Sequence, residues 1–131
     1  SLMDEIPGNL PSLLYAHKLS RKAASVGLTW GSIDELLDET TLAVDRLRGA
    51  PAPEIEGRLG ELLGAVANLA SGLGVDAEAA LRGWASGFRD GFRRLEDAAR
   101  ARGMALRSLD PDTLDALWHE VRSGGPGAGR E

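Results

Sequence analysis

EIEGRLGELLGAVANLASGL, residues Glu54–Leu73, decides the fold class. Its apolar residues Ile55, Leu59, Leu62, Leu63, Val66, Leu69 and Leu73 recur at spacings of three and four, the period of one α-helical stripe. Gly74 follows and ends the pattern. Upstream, Ser32 with Glu35 three residues on forms a capping box ahead of Ile33, Leu36, Leu37, Val44 and Leu47, until Gly49 and the stretch 50–53 break the chain. Before that, a helix is expected from about Pro11 to Val26, with Asn9 as cap, Pro11 in the first turn and Gly27 as stop. Its Leu10, Leu13, Leu14, His17 and Ala24 lie near one face.

Downstream, Asp76 caps a fourth helix whose stripe is Leu81, Trp84, Phe88, Phe92 and Leu95 and which ends near Gly103. At about 26 residues it is roughly 39 Å long, more than a small bundle covers alone. Asp110-Pro111 opens a fifth helix with Leu114, Leu117, Trp118 and Val121 inward. Residues 123–131 are a Gly-rich tail expected to be disordered. Leu and Ala dominate the apolar set while Val and Ile are scarce, so strands are not expected. Ser1-Leu2 ahead of Met3 reads as a cloning remnant and is set aside. The expectation is one all-α domain over residues 3–122, a helical bundle completed by a second copy, that is, a homodimer.

Composition narrows the function. The 131 residues suit one ordinary domain, and 43% hydrophobic with 27% charged residues is a folded composition. Cys is absent, which removes disulfides, thiolate metal sites and a Cys nucleophile together. A net charge of -5 argues against duplex nucleic acid and anionic membranes as partners. No run approaches a membrane span and no signal peptide opens the chain, so the expected location is the cytoplasm.

Catalytic options are few. His17 falls on an apolar face, where a hydrogen-bonded structural role suits it, and His119 reads as solvated. No Walker-type loop or serine elbow is present. Chemistry is left to carboxylates holding a divalent metal: Asp34, Glu35, Asp38 and Glu39 on the second helix, with Glu54, Glu56 and Glu61 around the third. Acids in a helix's first turns also simply complement the macrodipole.

Four blocks in order, LPSLLYAHKLSRKAASVGLTW (Leu10–Trp30), NLASGLGVDAEAALR (Asn68–Arg82), FRDGFRRLEDAARARGM (Phe88–Met104) and LDALWHEVR (Leu114–Arg122), resemble a MazG-type nucleoside triphosphate pyrophosphohydrolase domain. The resemblance implies an all-α dimeric bundle that cleaves NTPs to NMP and pyrophosphate with Mg²⁺, held by an E-E-x-x-E stretch on one helix and E-x-x-D on the next. Carried over, the first stretch falls on Leu42, Ala43 and Arg46, and the second on Arg58 and Glu61. Only Glu61 is acidic. Two guanidiniums, which cannot deprotonate, stand where the resemblance places carboxylates.

A Lys and an Arg that the resemblance assigns to substrate phosphates are here Gly87 and Gly91. With Gly83 they make a glycine row along the fourth helix, each position costing about 1 kcal/mol of helix propensity. That row reads either as a smooth groove or as relaxed constraint. Trp118 and Arg122 match nucleotide-contacting positions, although Trp118 also has core spacing. Lys18 and Lys22 match basic positions of the first helix that the resemblance assigns to substrate binding, where a solvated face accounts for them equally.

Three readings follow. The chain is a degenerate member with metal-dependent activity lost or nearly lost, surviving as a homodimeric binding or regulatory module. Alternatively it is an active Mg²⁺-dependent hydrolase using shifted acids, Asp38, Glu39 and Asp45 facing Glu61. Or it senses nucleotides, NTP or dNTP, without metal through Arg46 and Arg58, for which the plain reading of Arg58 is a surface pair with Glu61.

Overall fold

The computed structural model describes residues 1–124. Within them run α1 (Ser12–Ala24), α2 (Ile33–Arg48), α3 (Ile55–Gly72), α4 (Ala77–Ala101) and α5 (Pro111–Gly124), with short 3-10 turns at Leu2–Glu5, Ala52–Glu54 and Leu106–Ser108. The fold is all-α, and no strand occurs among the described residues. Of the expected tail, Ser123 and Gly124 continue α5, and the rest lies outside the described residues. No helix among them is long and apolar enough to cross a membrane.

Local chemistry sets the helix ends. Ser32 Oγ accepts the Glu35 N–H at 3.1 Å, and the Glu35 carboxylate accepts the Ser32 N–H at 3.4 Å, completing the capping box of α2. Asp76 accepts from Ala79 N–H at 3.2 Å at the head of α4. Asp110 accepts from Thr113 N–H at 2.7 Å ahead of α5, and the hydrogen bonds from the Thr113 side chain and backbone hold its carboxyl below the usual aspartate range. Asn9 is not the cap of α1. Tyr15 N–H bonds to Pro11 O at 2.8 Å, so Pro11 closes the first turn and Asn9 stands outside it. At the end of α3, Gly74 takes φ +71°, and Val75 N–H reaches Ala70 O at 2.9 Å while Gly74 N–H reaches Ser71 O at 3.1 Å, a Schellman closure. Gly103 ends α4 in the same way.

The chain divides into two compact units, Ser1–Ala80 and Leu81 onward. In the first, the short connection folds α2 back along α3. Leu36, Ala43 and Ala67 are buried, as is Ala23 of α1. Gly72 lets α2 come close, since a Cβ there would stand 2.6 Å from Leu36 Cδ1 and 3.2 Å from Ile33 Cδ1. α1 lies against α3 and is pinned by two hydrogen bonds, His17 Nδ1 with Ser71 Oγ at 2.8 Å and Ser20 Oγ to Asn68 Oδ1 at 2.9 Å. His17 is half-buried, in the structural role its apolar face suggested.

In the second unit Leu95, Ala99 and Leu117 form the buried centre, surrounded by Ala98, Met104, Leu106, Leu109, Leu114, Trp118 and Val121. Several residues expected inward are not covered. Leu59, Leu63, Val66 and Leu73 of the α3 region remain exposed, as do Leu37 and Val44 of α2, and on α4 Leu81, Trp84, Phe88 and Phe92, with Trp84 at 65%. Alanines occupy many of the tight contacts, and each leucine-rich stripe is wider than the neighbours that its own unit supplies. Replacing Ser32 by Ala removes the first-turn acceptor of α2 and is expected to lower unfolding free energy by about 1 kcal/mol in urea titration.

Candidate functional site

A cavity of about 510 Å³ opens between α2 and α3. From α2 it is lined by Leu36, Glu39, Ala43 and Arg46, positions at helical spacing on one face. α3 contributes Glu61, Gly64, Ala65 and Asn68 at i, i+3, i+4 and i+7, and the loop before α2 adds Thr29 and Trp30. Ala43 is buried, so small side chains make part of the wall where the resemblance places a carboxylate. Arg46 has no ion-pair or hydrogen-bond partner among the described residues.

Arg58 is held differently. It meets Glu61 at 3.3 Å and Glu54 at 3.6 Å, so Glu61 is already paired with a guanidinium on its own helix. This is the surface pair that the spacing suggested, now with a second acid one turn back. Of the three shifted acids, Glu39 lines the same cavity as Glu61, whereas Asp38 and Asp45 line none of it. Leu42 is 40% exposed and stands apart from the cavity as well. Among the described residues, no three or more His, Asp or Glu side chains gather as a metal site.

The second unit places Trp118 on Gly91. A Cβ at Gly91 would lie 3.2 Å from Trp118 Cη2 and 3.6 Å from Arg122 Cδ. The indole also meets Phe88 at 5.4 Å between ring centroids, Phe88 stacks on Trp84 at 5.6 Å, and the Arg122 guanidinium sits 5.3 Å from the Trp118 ring centroid. Gly91 therefore has a packing reason. Gly83 and Gly87 have no such neighbour, with open space where a Cβ would be.

On α1, Lys22 pairs with Glu5, and the hydrogen bond and charge of Lys22 hold the Glu5 carboxyl below its usual range. Lys18 is exposed nearby. His119 is exposed, with Nδ1 at 2.9 Å from the Asp115 carbonyl. Sequence reasoning passed over Trp30, Asn68 and Arg21. Asn68 was visible as the i+7 partner of Glu61 on the α3 face, and Arg21 as the i+3 neighbour of Lys18.

An all-α domain with a cavity of mixed lining between two packed helices is the class that fold and site define. The chain is 32% identical over 128 residues to the nucleoside triphosphate pyrophosphohydrolase of Escherichia coli K12, covering 93% of this chain and 49% of that protein. It is 30% identical over 125 residues to the nucleoside triphosphate pyrophosphohydrolase/pyrophosphatase MazG of Thermotoga maritima, covering 95% of this chain and 49% of that protein. No family model matches. Over nearly its whole length the chain is similar to part of these MazG-type proteins. It spans about half the length of the curated relatives it matches.

The resemblance implies Mg²⁺, a hard cation that asks for near-octahedral oxygen ligands. The cavity offers the carboxylates of Glu39 and Glu61, the second compensated by Arg58, together with the fixed positive charge of Arg46. This donor set does not fit the ion. In the second unit, Gly91→Leu is expected to lift Trp118 from its seat, costing roughly 1–3 kcal/mol by overpacking and weakening the near-ultraviolet circular dichroism of the Trp118 and Phe88 pair.

Proposed function

We propose that this chain is a MazG-family nucleoside triphosphate pyrophosphohydrolase-like domain whose metal-dependent hydrolysis is lost or nearly lost, and that it acts as a homodimeric binding or regulatory module in the cytoplasm. The observation that carries this reading is Arg46 in the α2–α3 cavity, opposite a Glu61 that Arg58 already neutralises. A divalent cation entering there meets the guanidinium of Arg46, and the α3 acid it finds is paired with Arg58. Self-association is supported by the uncovered stripes of Leu59, Leu63 and Val66 on α3 and of Trp84, Phe88 and Phe92 on α4. Removing such area from water is worth about 25 cal/mol per Å², and a second copy brings the same stripes to a two-fold interface.

A panel of NTPs and dNTPs with Mg²⁺ or Mn²⁺ is expected to release no pyrophosphate above the protein-free rate. Turnover at the ordinary enzymatic scale of roughly 1–10³ s⁻¹ overturns the reading in favour of Asp38, Glu39 and Asp45 acting with Glu61.

Metal-free nucleotide sensing is the second reading, and the contrast between the two arginines favours it. Arg58 is engaged by two acids, whereas Arg46 lines the cavity with no partner among the described residues. Guanidinium groups bind phosphate oxygens well without metal. Nucleotide in EDTA is then expected to raise the Tm, the rise vanishing in Arg46→Ala and persisting in Arg58→Ala. An identical rise in wild type and Arg46→Ala sinks this second reading.

A further inference from the structure

This acidic chain contains a basic helix. α1 reads SLLYAHKLSRKAA, with Lys18, Arg21 and Lys22 and no acid. The macrodipole accounts for Arg21 and Lys22, which lie in the last turn. It does not account for Lys18. Lys22 is neutralised by Glu5, while Lys18 and Arg21, three residues apart and so on neighbouring parts of one face, have no partner among the described residues.

Two cavities flank this pair. One, of about 540 Å³, is lined from α1 by His17, Lys18, Arg21 and Lys22, and from the preceding segment by Glu5 and the apolar Ile6, Pro7 and Leu10. The other, of about 570 Å³, shares His17, Lys18 and Arg21. None of these residues lines the cavity between α2 and α3. Both volumes fall in the range of small-molecule sites. In the first, the exposed Glu5 carboxylate of the chain already pairs with one of the three cations. His17 is fixed by Ser71 at its rim.

From these observations we infer that the α1 cavity is a separate binding site for a small phosphate-bearing anion, with Glu5 as an internal competitor for Lys22. Lys18 and Arg21 supply the uncompensated charge. Arg21 adds the planar fork that matches phosphate oxygens. Ile6, Pro7 and Leu10 form an apolar wall that takes any organic part of the ligand. The site stands independently of the degenerate α2–α3 cavity and of any activity there.

The test is titration of the isotopically labelled protein in EDTA with inorganic pyrophosphate and, separately, with a nucleoside monophosphate, following backbone amide shifts. Saturable shifts on α1 are expected. The double variant Lys18→Ala, Arg21→Ala is expected to weaken binding roughly tenfold, as loss of charged hydrogen bonds does. Glu5→Gln is expected to tighten it, because Lys22 is released, and Arg46→Ala to leave it unchanged. A stronger response to the nucleotide assigns the apolar wall to the organic moiety, and a stronger response to pyrophosphate assigns the site to the free anion. The inference is overturned if α1 does not respond, if Arg46→Ala removes the response, if Glu5→Gln fails to strengthen it, or if the double variant binds like wild type.

Discussion

The approach of α2 to α3 governs the first unit. At Gly72 the space for even a methyl group is taken by Leu36 and Ile33, and Ala43 and Ala67 are buried where the helices run together. Small residues let the backbones come close, and close backbones set what lies between them. Arg46, Glu39 and Glu61 line one cavity, with Gly64 and Ala65 beside them. A bulkier seam would push these three side chains apart.

That shared cavity gives the charge pattern its meaning. A surface arginine near two glutamates is ordinary, and each such exposed pair contributes only a few tenths of a kcal/mol. Arg58 is of this kind, bridging Glu54 and Glu61 along α3. By pairing with Glu61 it uses up the acid that stands at a position where the family resemblance places a ligand, while Arg46 adds a positive charge across the gap. Protonation cannot relieve either guanidinium. The cavity is thus better matched to an anion or to a mixed-charge ligand than to a bare divalent cation.

Apolar surface follows a similar economy. The buried set is rich in alanine, and the larger side chains of α3 and α4 stay half in water. In the second unit the aromatic series from Trp84 through Phe88 to Trp118 is ordered by ring contacts and by the seat at Gly91. Trp118 has one part of its ring against Phe88 and the Arg122 guanidinium close by. Its position is explained by packing alone, while Gly83 and Gly87 stay unexplained by any close neighbour.

Helices and their ends were legible in the amino-acid order because they rest on local physics. The Ser32–Glu35 box, the caps at Asp76 and Asp110 and the stop at Gly74 involve residues within a turn of one another. Asn9 failed as a cap because Pro11, two residues on, closed the turn first. The change from acids to Leu42, Ala43, Arg46 and Arg58 was equally plain from the chain alone. Which residues share a space was not. That Glu39 joins Glu61 while Asp38 and Asp45 do not, that Gly91 carries an indole while Gly87 carries nothing, and that Glu5 quiets Lys22 but leaves Lys18 and Arg21 uncompensated, depend on contacts between segments distant in sequence. Periodicity assigns a residue to a face, but only tertiary packing decides what that face meets.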